Sequence, residues 1–210
     1  MINEGAINAG IAPKFSDPYS YGQGTNWQDE VFNNNAPMMN HQVSVSGASE
    51  KVNYLFSLGF YTQDGIVGGN FDRSNYERLT LRSNTQYTLF DESKERNWLN
   101  SLKVTSNLSY ARIKSTNFDD NSTWGTPLGS ALALSPILNV YDETEEAIKA
   151  QFDKYGTTAE YTPVYDPRNG KLFSIPGEFG EMSNPIAKLS LPGDKQWSHK
   201  LVANFYAELQ

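Results

Sequence analysis

Aromatic side chains outside the regular stretches of this sequence are the residues best suited to contact a ligand. Trp and Tyr rings offer broad apolar faces that stack on sugar rings, with a polar N–H or O–H beside them. Four such residues are candidates for ligand contact: Trp27, Trp124, Tyr161 and Tyr165. The same rings could pack one loop against another, so residue type alone leaves binding and packing both open.

A group of oxygen-bearing side chains, Asp119-Asp120-Asn121, offers the hard ligands that Ca²⁺ prefers. The group lacks the ligand spacing and the distal glutamate of an EF-hand, so we predict a solvated acidic turn and no metal site. The sequence contains no cysteine, which excludes disulfides and thiolate-bound metals. We predict no cofactor.

Catalysis has little support in the residue pattern. His41 and His199 are the only histidines, and each adjoins an apparent strand rather than a nucleophile elbow or a glycine-rich phosphate loop. Glu178 and Glu181 could form a carboxylate pair for glycoside hydrolysis, but acidic residues are plentiful in this chain. We therefore predict that the chain is not an enzyme and assign no catalytic residue.

The charge balance argues against two kinds of main partner. Lys and Arg number 17 against 24 Asp and Glu, which gives a net charge of −7 and argues against nucleic acid or an anionic membrane surface as the main partner. The sequence also lacks a run of about 18 apolar residues, so it predicts no membrane-spanning helix. Transmembrane strands remain possible, because each needs only about 10 residues of alternating hydrophobicity.

Four runs of alternating residues between positions 42 and 112 predict the elements that position these side chains. A period of two places successive side chains on opposite faces of a strand. The apolar face is predicted to include Phe56, Leu58, Leu79, Leu81, Leu102 and Val104. The other face is predicted to include Asn53, Ser57, Thr80, Arg82, Thr105 and Asn107. The pattern predicts an all-β antiparallel meander.

Connections between the predicted strands alternate between short and long. Glu50-Lys51 makes a tight hairpin and residues 91–97 make a short turn, whereas residues 63–75 and 113–197 are long. Alternation resumes only at the end of the chain, near residues 198–210. Short turns alternating with long loops are ordinary in an outer-membrane barrel, whereas so long a loop is unusual inside a compact soluble domain.

Some local structure is predicted within the connections. A capping box from Asp142 to Glu145 predicts one short helix that ends near Gly156. Residues 166–170 predict a small hairpin with Gly170 at a positive φ. Residues 1–21 are predicted to be a loop, and residues 25–32 could form a short helix.

Several strings of residues carry a family resemblance when taken together. They are Thr25-Asn26-Trp27-Gln28-Asp29-Glu30-Val31-Phe32, Asn40-His41-Gln42-Val43-Ser44-Val45-Ser46-Gly47, Gly65-Ile66-Val67-Gly68 and Tyr76-Glu77-Arg78-Leu79-Thr80-Leu81-Arg82. Their order and spacing resemble the start of the barrel in SusC/RagA-type TonB-linked outer-membrane transporters. Ser135-Pro136, Tyr141-Asp142 and Asn184-Pro185 resemble a loop of the same family.

The resemblance implies a partial transmembrane β-barrel with long loops and one short helix, located in the outer membrane of a Bacteroidetes-type bacterium. It implies import of oligosaccharides or peptides, with TonB and a lid lipoprotein of the SusD type as partners. The six residues named for the apolar face would then face lipid. Trp98 and Trp197, which precede strands, would belong to an interfacial aromatic girdle.

We expect an internal piece of such a transporter, because five strands are fewer than the roughly 8 that a bacterial barrel needs. The expected segments are residues 1–40, a loop with a short helix; 41–112, four strands; 113–197, a long extracellular loop with a short helix and a small hairpin; and 198–210, a truncated fifth strand. The alternative is a soluble β-sandwich that binds glycans, since a sandwich strand also has one apolar face. A glycoside hydrolase fragment is the third possibility.

Overall fold

Five strands form one antiparallel sheet in the computed structural model, which describes residues 2–13, 15–71, 73, 75–90, 99–118, 125–142, 144–154, 162–176 and 182–210. The strands are β1 Met38–Ala48, β2 Val52–Asp64, β3 Asn75–Phe90, β4 Leu102–Asn117 and β5 Asp194–Leu209. Each strand pairs with its neighbours in chain order. The predicted antiparallel meander is confirmed.

The strands extend further than the alternation indicates at one end of the sheet. β1 begins at Met38 rather than Gln42, β4 continues to Asn117 rather than Arg112, and β5 begins at Asp194. Residues near these ends are largely polar on both faces, so the apolar period fades while backbone pairing continues. The last long connection therefore spans residues 118–193.

The register assigns each strand residue to one of two faces, because directly paired residues lie on the same face. One row across all five strands is Val43, Leu58, Leu81, Tyr110 and Leu201. The adjacent row, on the other face, is Ser44, Ser57, Arg82, Ser109 and Val202. We call these the apolar face and the polar face.

Short helices occupy parts of the connections: α1 Ile2–Asn8, a 3-10 helix Pro18–Tyr21, α2 Trp27–Val31, α3 Pro127–Ala133, α4 Glu145–Lys154 and α5 Pro185–Ser190. The helix predicted from the capping box is confirmed as α4, and the short helix within residues 25–32 is confirmed as α2. The N-cap residue predicted for this helix is wrong by two positions. Thr144 Oγ1 accepts a hydrogen bond from the Ala147 amide at 3.1 Å, so Thr144 caps α4 instead of Asp142.

The loop prediction for residues 1–21 is wrong where α1 and the 3-10 helix form. Gly and Asn disfavour helices, which hides α1 from propensity arguments. The side chain of Asn3 instead ties α1 to the following segment through two hydrogen bonds to the Phe15 backbone, at 2.6 and 3.0 Å. Helices α3 and α5 were also not predicted. Each has proline at its first position, where the missing amide hydrogen costs nothing.

The chain divides into two compact units. The first contains Met1–Glu30 and Asn121–Lys188, and its buried apolar residues include Trp27, Leu134, Ile148, Phe173 and Ile186. The second contains Val31–Asp120 and Leu189–Gln210, and thus the whole sheet. Among the helices of the described residues, none has the length and apolar character needed to cross a bilayer.

Candidate functional site

The apolar face of the sheet carries a wide band without formal charge. The band covers five successive rows and contains, on the three central strands, Tyr54, Phe56, Leu58, Leu81, Tyr87, Leu102, Val104, Leu108 and Tyr110. All six residues predicted for the apolar face lie on that face: Phe56, Leu58, Leu79, Leu81, Leu102 and Val104. Five of these six lie within the rows of the band. We call the band the apolar belt.

Most of the apolar belt is open to its surroundings. Val43, Leu201 and Phe205 are 66%, 70% and 69% exposed. A groove of about 510 Å³ on this surface is lined by Val43, Val45, Phe56, Leu58, Leu81, Leu108, Tyr110 and Leu201, with a few polar neighbours. Exposure of so much contiguous apolar surface is typical of a binding or membrane-contacting surface.

The polar face has the opposite character along the same strands. Its rows carry amides, hydroxyls and charges, among them Arg78, Arg82 and Asn84. Cross-strand contacts join some of them, as where the Asn53 amide donates to Gln86 Oε1 at 3.3 Å. Thr105 differs from its neighbours, because it is only 7% exposed and its hydroxyl has no hydrogen-bond partner among the described residues.

A second site candidate lies in the first compact unit, around the turn at residues 166–170. Asp166 is fully buried and accepts hydrogen bonds from the Tyr141 hydroxyl at 2.7 Å and from Arg168 Nη2 at 2.7 Å. The Arg168 backbone amide donates to the same carboxylate at 2.8 Å. Gly170 has a φ of 69°, which confirms the positive φ predicted there. We call this network the Asp166 hub.

The Asp166 hub holds a charge in the protein interior by satisfying it locally. Hydrogen bonding to the Arg168 side chain is the main cause that lowers the pKa of Asp166 to about 2, against the opposing effect of burial. The same carboxylate raises the pKa of the Arg168 guanidinium. Burial, and then the hydrogen bond to Asp166, raise the pKa of Tyr141. Above pH 4 the hub is therefore a closed ion pair.

The ring of Tyr141 continues the hub into the core of the unit. It stacks on Phe173 with centroids 5.3 Å apart, and Lys171 Nζ lies 5.5 Å from its centroid. Isolated β-bridges pair Tyr141 with Phe173 and Tyr165 with Leu172. The second bridge closes the turn at residues 166–170, so the predicted hairpin is confirmed as a single bridge. The hub thus fixes the connection that carries Tyr165.

The four aromatic residues predicted to contact a ligand differ in their surroundings. Trp27 is 3% exposed and its indole Nε1 donates to the Ser135 carbonyl at 3.0 Å. A ring so enclosed has no free face for a sugar, so the packing alternative describes Trp27. Tyr165 is 45% exposed, and its hydroxyl donates to Glu145 Oε1. Trp124 and Tyr161 lie outside the described residues.

Three known proteins are similar to this chain. TonB-dependent receptor SusC of Bacteroides thetaiotaomicron is 29% identical over 186 residues, which cover 86% of this chain and 16% of the relative. TonB-dependent receptor P26 of Formosa agariphila is 28% identical over 207 residues, covering 98% of this chain and 16% of the relative. This chain is similar to TonB-dependent receptors, SusC among them. TonB-dependent receptor P3 of Formosa agariphila is 30% identical over 130 residues, covering 61% of this chain and 12% of that receptor.

The alignments cover a limited part of each relative. The chain spans about one sixth of the length of SusC and P26, and less of P3. No family model matches the chain. The resemblance drawn from the sequence strings is confirmed by the three relatives. All three relatives are named as TonB-dependent receptors.

Other candidates from the sequence fall in different places. Asp119, Asp120, Glu178 and Glu181 lie outside the described residues, as does Trp98. No group of three or more metal-binding side chains occurs in the described part of the chain. His199 lies on the apolar face, and its Nδ1 lies 2.8 Å from the Tyr110 hydroxyl.

Two features of the structure were not predicted from the sequence. The Asp166 hub joins Tyr141 to a turn 25 residues later, and only the Asp-Pro-Arg-Asn-Gly string marks the turn. The second is a set of charged residues at one end of the apolar face, where Arg112 and Lys114 approach Trp197. The sequence could have indicated this set, because Arg112 and Lys114 lie at every second position after Tyr110 and therefore fall on the apolar face.

Proposed function

We propose that this chain forms early barrel strands and an extracellular loop of a TonB-dependent outer-membrane transporter that imports oligosaccharides or peptides. One observation carries the proposal. The register aligns the uncharged residues of all five strands into a belt on one face and leaves a polar face behind it. In a wide barrel, lipid contacts the first face, and water or a plug contacts the second.

The dimensions of the apolar belt support a membrane contact. On β4 it extends from Leu102 to Tyr110, which is about 26 Å at roughly 3.3 Å per residue. Barrel strands tilt by about 35–45°, so the height along the membrane normal is roughly 20 Å, close to the apolar band of about 25 Å in outer-membrane barrels. Formal charges on this face begin only one row further, at Arg112 and then Glu77 and Lys114.

The connections support an orientation. β1 and β2 are joined by residues 49–51, whereas β2 and β3 are joined by residues 65–74, and β4 and β5 by residues 118–193. Outer-membrane barrels have short periplasmic turns and longer extracellular loops. We therefore place the ends near Ala48 and Leu102 in the periplasm. Residues 1–40 and the loop expected at 113–197 are then extracellular.

The ligand and the partners follow from this placement. Tyr165 offers an exposed ring on a connection that the Asp166 hub holds in place. We propose that Tyr165, Trp124 and Tyr161 contact an oligosaccharide or peptide, while Trp27 supports their loop from inside. By the same proposal the transporter is driven by TonB, which the names of the three relatives contain. It is covered by a SusD-type lipoprotein, as the resemblance to SusC/RagA-type transporters implies.

Uptake measurements test the proposal. The gene would be deleted in its own bacterium, and growth would be measured on a panel of single oligosaccharides and of peptides as sole nutrients. We expect growth to fail on at least one nutrient, and a copy of the gene to restore it. Disruption of TonB should reproduce the same defect, and the gene product should sediment with the outer membrane.

Two results would count against a transporter. Recovery of the gene product in the soluble fraction, as a monomer that melts cooperatively without detergent, would favour the soluble β-sandwich instead. Normal growth of the deletion strain on every nutrient tested, with unchanged uptake of labelled nutrients, would remove the import function even if the protein were in the membrane.

A further inference from the structure

Formal charge on the apolar face is confined to one end of the sheet. Beyond the apolar belt, the next rows carry Arg112, then Glu77 and Lys114, then Asp64 and Lys195. Trp197 pairs directly with Lys114, and it is 50% exposed. We call Arg112, Lys114, Lys195 and Trp197 the interfacial cluster.

Contacts within the interfacial cluster hold its cations beside an aromatic ring. The Arg112 guanidinium lies 4.6 Å from the centroid of Trp197, and Lys114 Nζ lies 5.8 Å from it. Cation–π attraction of this kind orients a cation without neutralising its charge. The residues Phe60, Glu77, Leu79, Arg112, Lys114 and Trp197 line a cavity of about 280 Å³.

The acids on this face neutralise only part of the positive charge. Glu77 Oε2 lies 3.5 Å from Lys114 Nζ, and both side chains are partly exposed. Among the described residues, no carboxylate is in ion-pair contact with Arg112 or Lys195. Arg112 therefore retains donors that are free to bind an anion, next to apolar surface from Leu79 and Phe60.

We propose that the interfacial cluster binds the phosphate-bearing headgroup of a membrane lipid. This inference rests on the proposed function, because it requires the apolar belt to contact acyl chains. A lipid whose chains lie along the belt would place its headgroup one or two rows beyond Tyr110. Arg112 and Lys114 would then meet the phosphate, while the Trp197 ring would lie at the depth where amphipathic rings are favoured.

Charge complementarity selects the phosphorylated headgroup over other occupants of the same surface. Guanidinium groups bind phosphate oxygens through paired N–H donors, and an ammonium adds a point charge beside them. A zwitterionic headgroup presents an equal positive charge to the same cations, so its net attraction is weaker. The whole chain carries a net charge of −7, so the local positive charge is a property of this end of the face.

Lipid enrichment in nanodiscs tests the proposal. The gene product would be reconstituted in nanodiscs of phosphatidylcholine with a minor fraction of a lipid A-type phosphoglycolipid, and its bound lipids counted by native mass spectrometry. Each basic residue near an anionic lipid surface strengthens binding about fivefold (about 1 kcal/mol). We therefore expect Arg112→Gln with Lys114→Gln to weaken enrichment of the phosphoglycolipid about 25-fold.

A matched control removes the same charge from the polar face. Lys103 and Lys200 lie on that face, so Lys103→Gln with Lys200→Gln should leave the enrichment within about twofold of the unmutated protein. Added inorganic phosphate should not displace the phosphoglycolipid, because free phosphate lacks acyl chains. Equal enrichment in both double variants, or competition by millimolar free phosphate, would overturn the lipid site.

The outcomes separate this proposal from the transporter proposal. If both double variants still sediment with the outer membrane and support nutrient uptake, a loss of enrichment specific to the Arg112 and Lys114 variant supports the lipid site. Retained uptake with no enrichment in any form of the protein overturns the lipid site alone. Failure of the unmutated protein to enter nanodiscs at all overturns both.

Discussion

Arginine substitutions on opposite faces of β4 test the lipid-facing assignment most directly. Leu108 lies on the apolar face, one row from the middle of the apolar belt, opposite Ser83 and Ala203. Asn107 is its neighbour on the polar face, in a row with Asn84 and Asn204. We compare Leu108→Arg with Asn107→Arg, because the two positions share strand, depth and added charge.

The magnitude follows from depth in the bilayer. An arginine on the lipid side of a barrel costs about 2–4 kcal/mol at the midplane and about 0–1 near the interface. Leu108 is one row from the centre of the belt, so we expect Leu108→Arg to cost about 2–3 kcal/mol. That is roughly a 30- to 150-fold change in the folding equilibrium. Asn107→Arg should cost less than about 1 kcal/mol, since its side chain meets polar neighbours and water.

The assay measures assembly of the gene product in its own outer membrane. Outer-membrane yield and the heat-resistant folded fraction would be compared for the two variants, with Val104→Arg expected to behave like Leu108→Arg. Thr105 is a poor partner for Val104 in this test, because its side chain is buried and an arginine there would clash on either interpretation. Equal yields, or greater damage from Asn107→Arg, would refute the face assignment.

Three further outcomes are expected. Met1–Gln210 expressed alone should aggregate in buffer and become monodisperse in detergent, because β1 and β5 have free edges and the apolar belt is uncovered; gel filtration with and without detergent checks this. Replacing Trp124, Tyr161 or Tyr165 with alanine should weaken ligand binding, measured by calorimetry, without reducing outer-membrane yield. Trp27→Phe should instead lower the stability of the loop. Unchanged binding in all three alanine variants would mean that these rings serve packing. Asp166→Asn should cost about 2 kcal/mol of local stability above pH 4. That difference should shrink as the pH falls from about 4 and be lost as the pH falls through 2, where the native carboxylate with its lowered pKa takes up its proton. Hydrogen exchange of residues 162–176, compared with Asp153→Asn on exposed α4, checks it.

The strand faces were predictable from sequence because their cause is local. Every second residue in residues 52–62 and 102–110 must share a face, so apolar periodicity alone places Phe56 and Val104 on the same side. Strand ends were less predictable. Beyond Tyr110 the apolar face carries Arg112, Lys114 and Thr116, so the sequence shows no apolar period there. Backbone pairing nevertheless extends β4 to Asn117.

The loop core was not predictable because its determinants are far apart in sequence. Trp27 is buried, and its indole donates a hydrogen bond to the carbonyl of Ser135, which lies 108 positions away. Asn184 donates its side-chain amide to the carbonyls of Val140 and Ser174, at 2.9 and 3.0 Å, and thereby joins three segments. Helix caps were partly readable, but Thr144 rather than Asp142 caps α4, since several adjacent residues there could serve.

The Asp166 hub bears on how an extracellular loop could bind selectively. Replacing a whole buried ion pair by apolar residues changes stability little, whereas separating its partners leaves an uncompensated charge. Loop conformations that separate Asp166 from Arg168 are therefore penalised. The loop conformation that this favours keeps the bridge between Tyr165 and Leu172 and the hydrogen bond from Tyr165 to Glu145. A ring that is already ordered loses less side-chain entropy when a ligand arrives. If Tyr165 contacts ligand, Asp166→Asn should therefore weaken binding through a slower association or a larger entropic cost, while the barrel strands assemble normally.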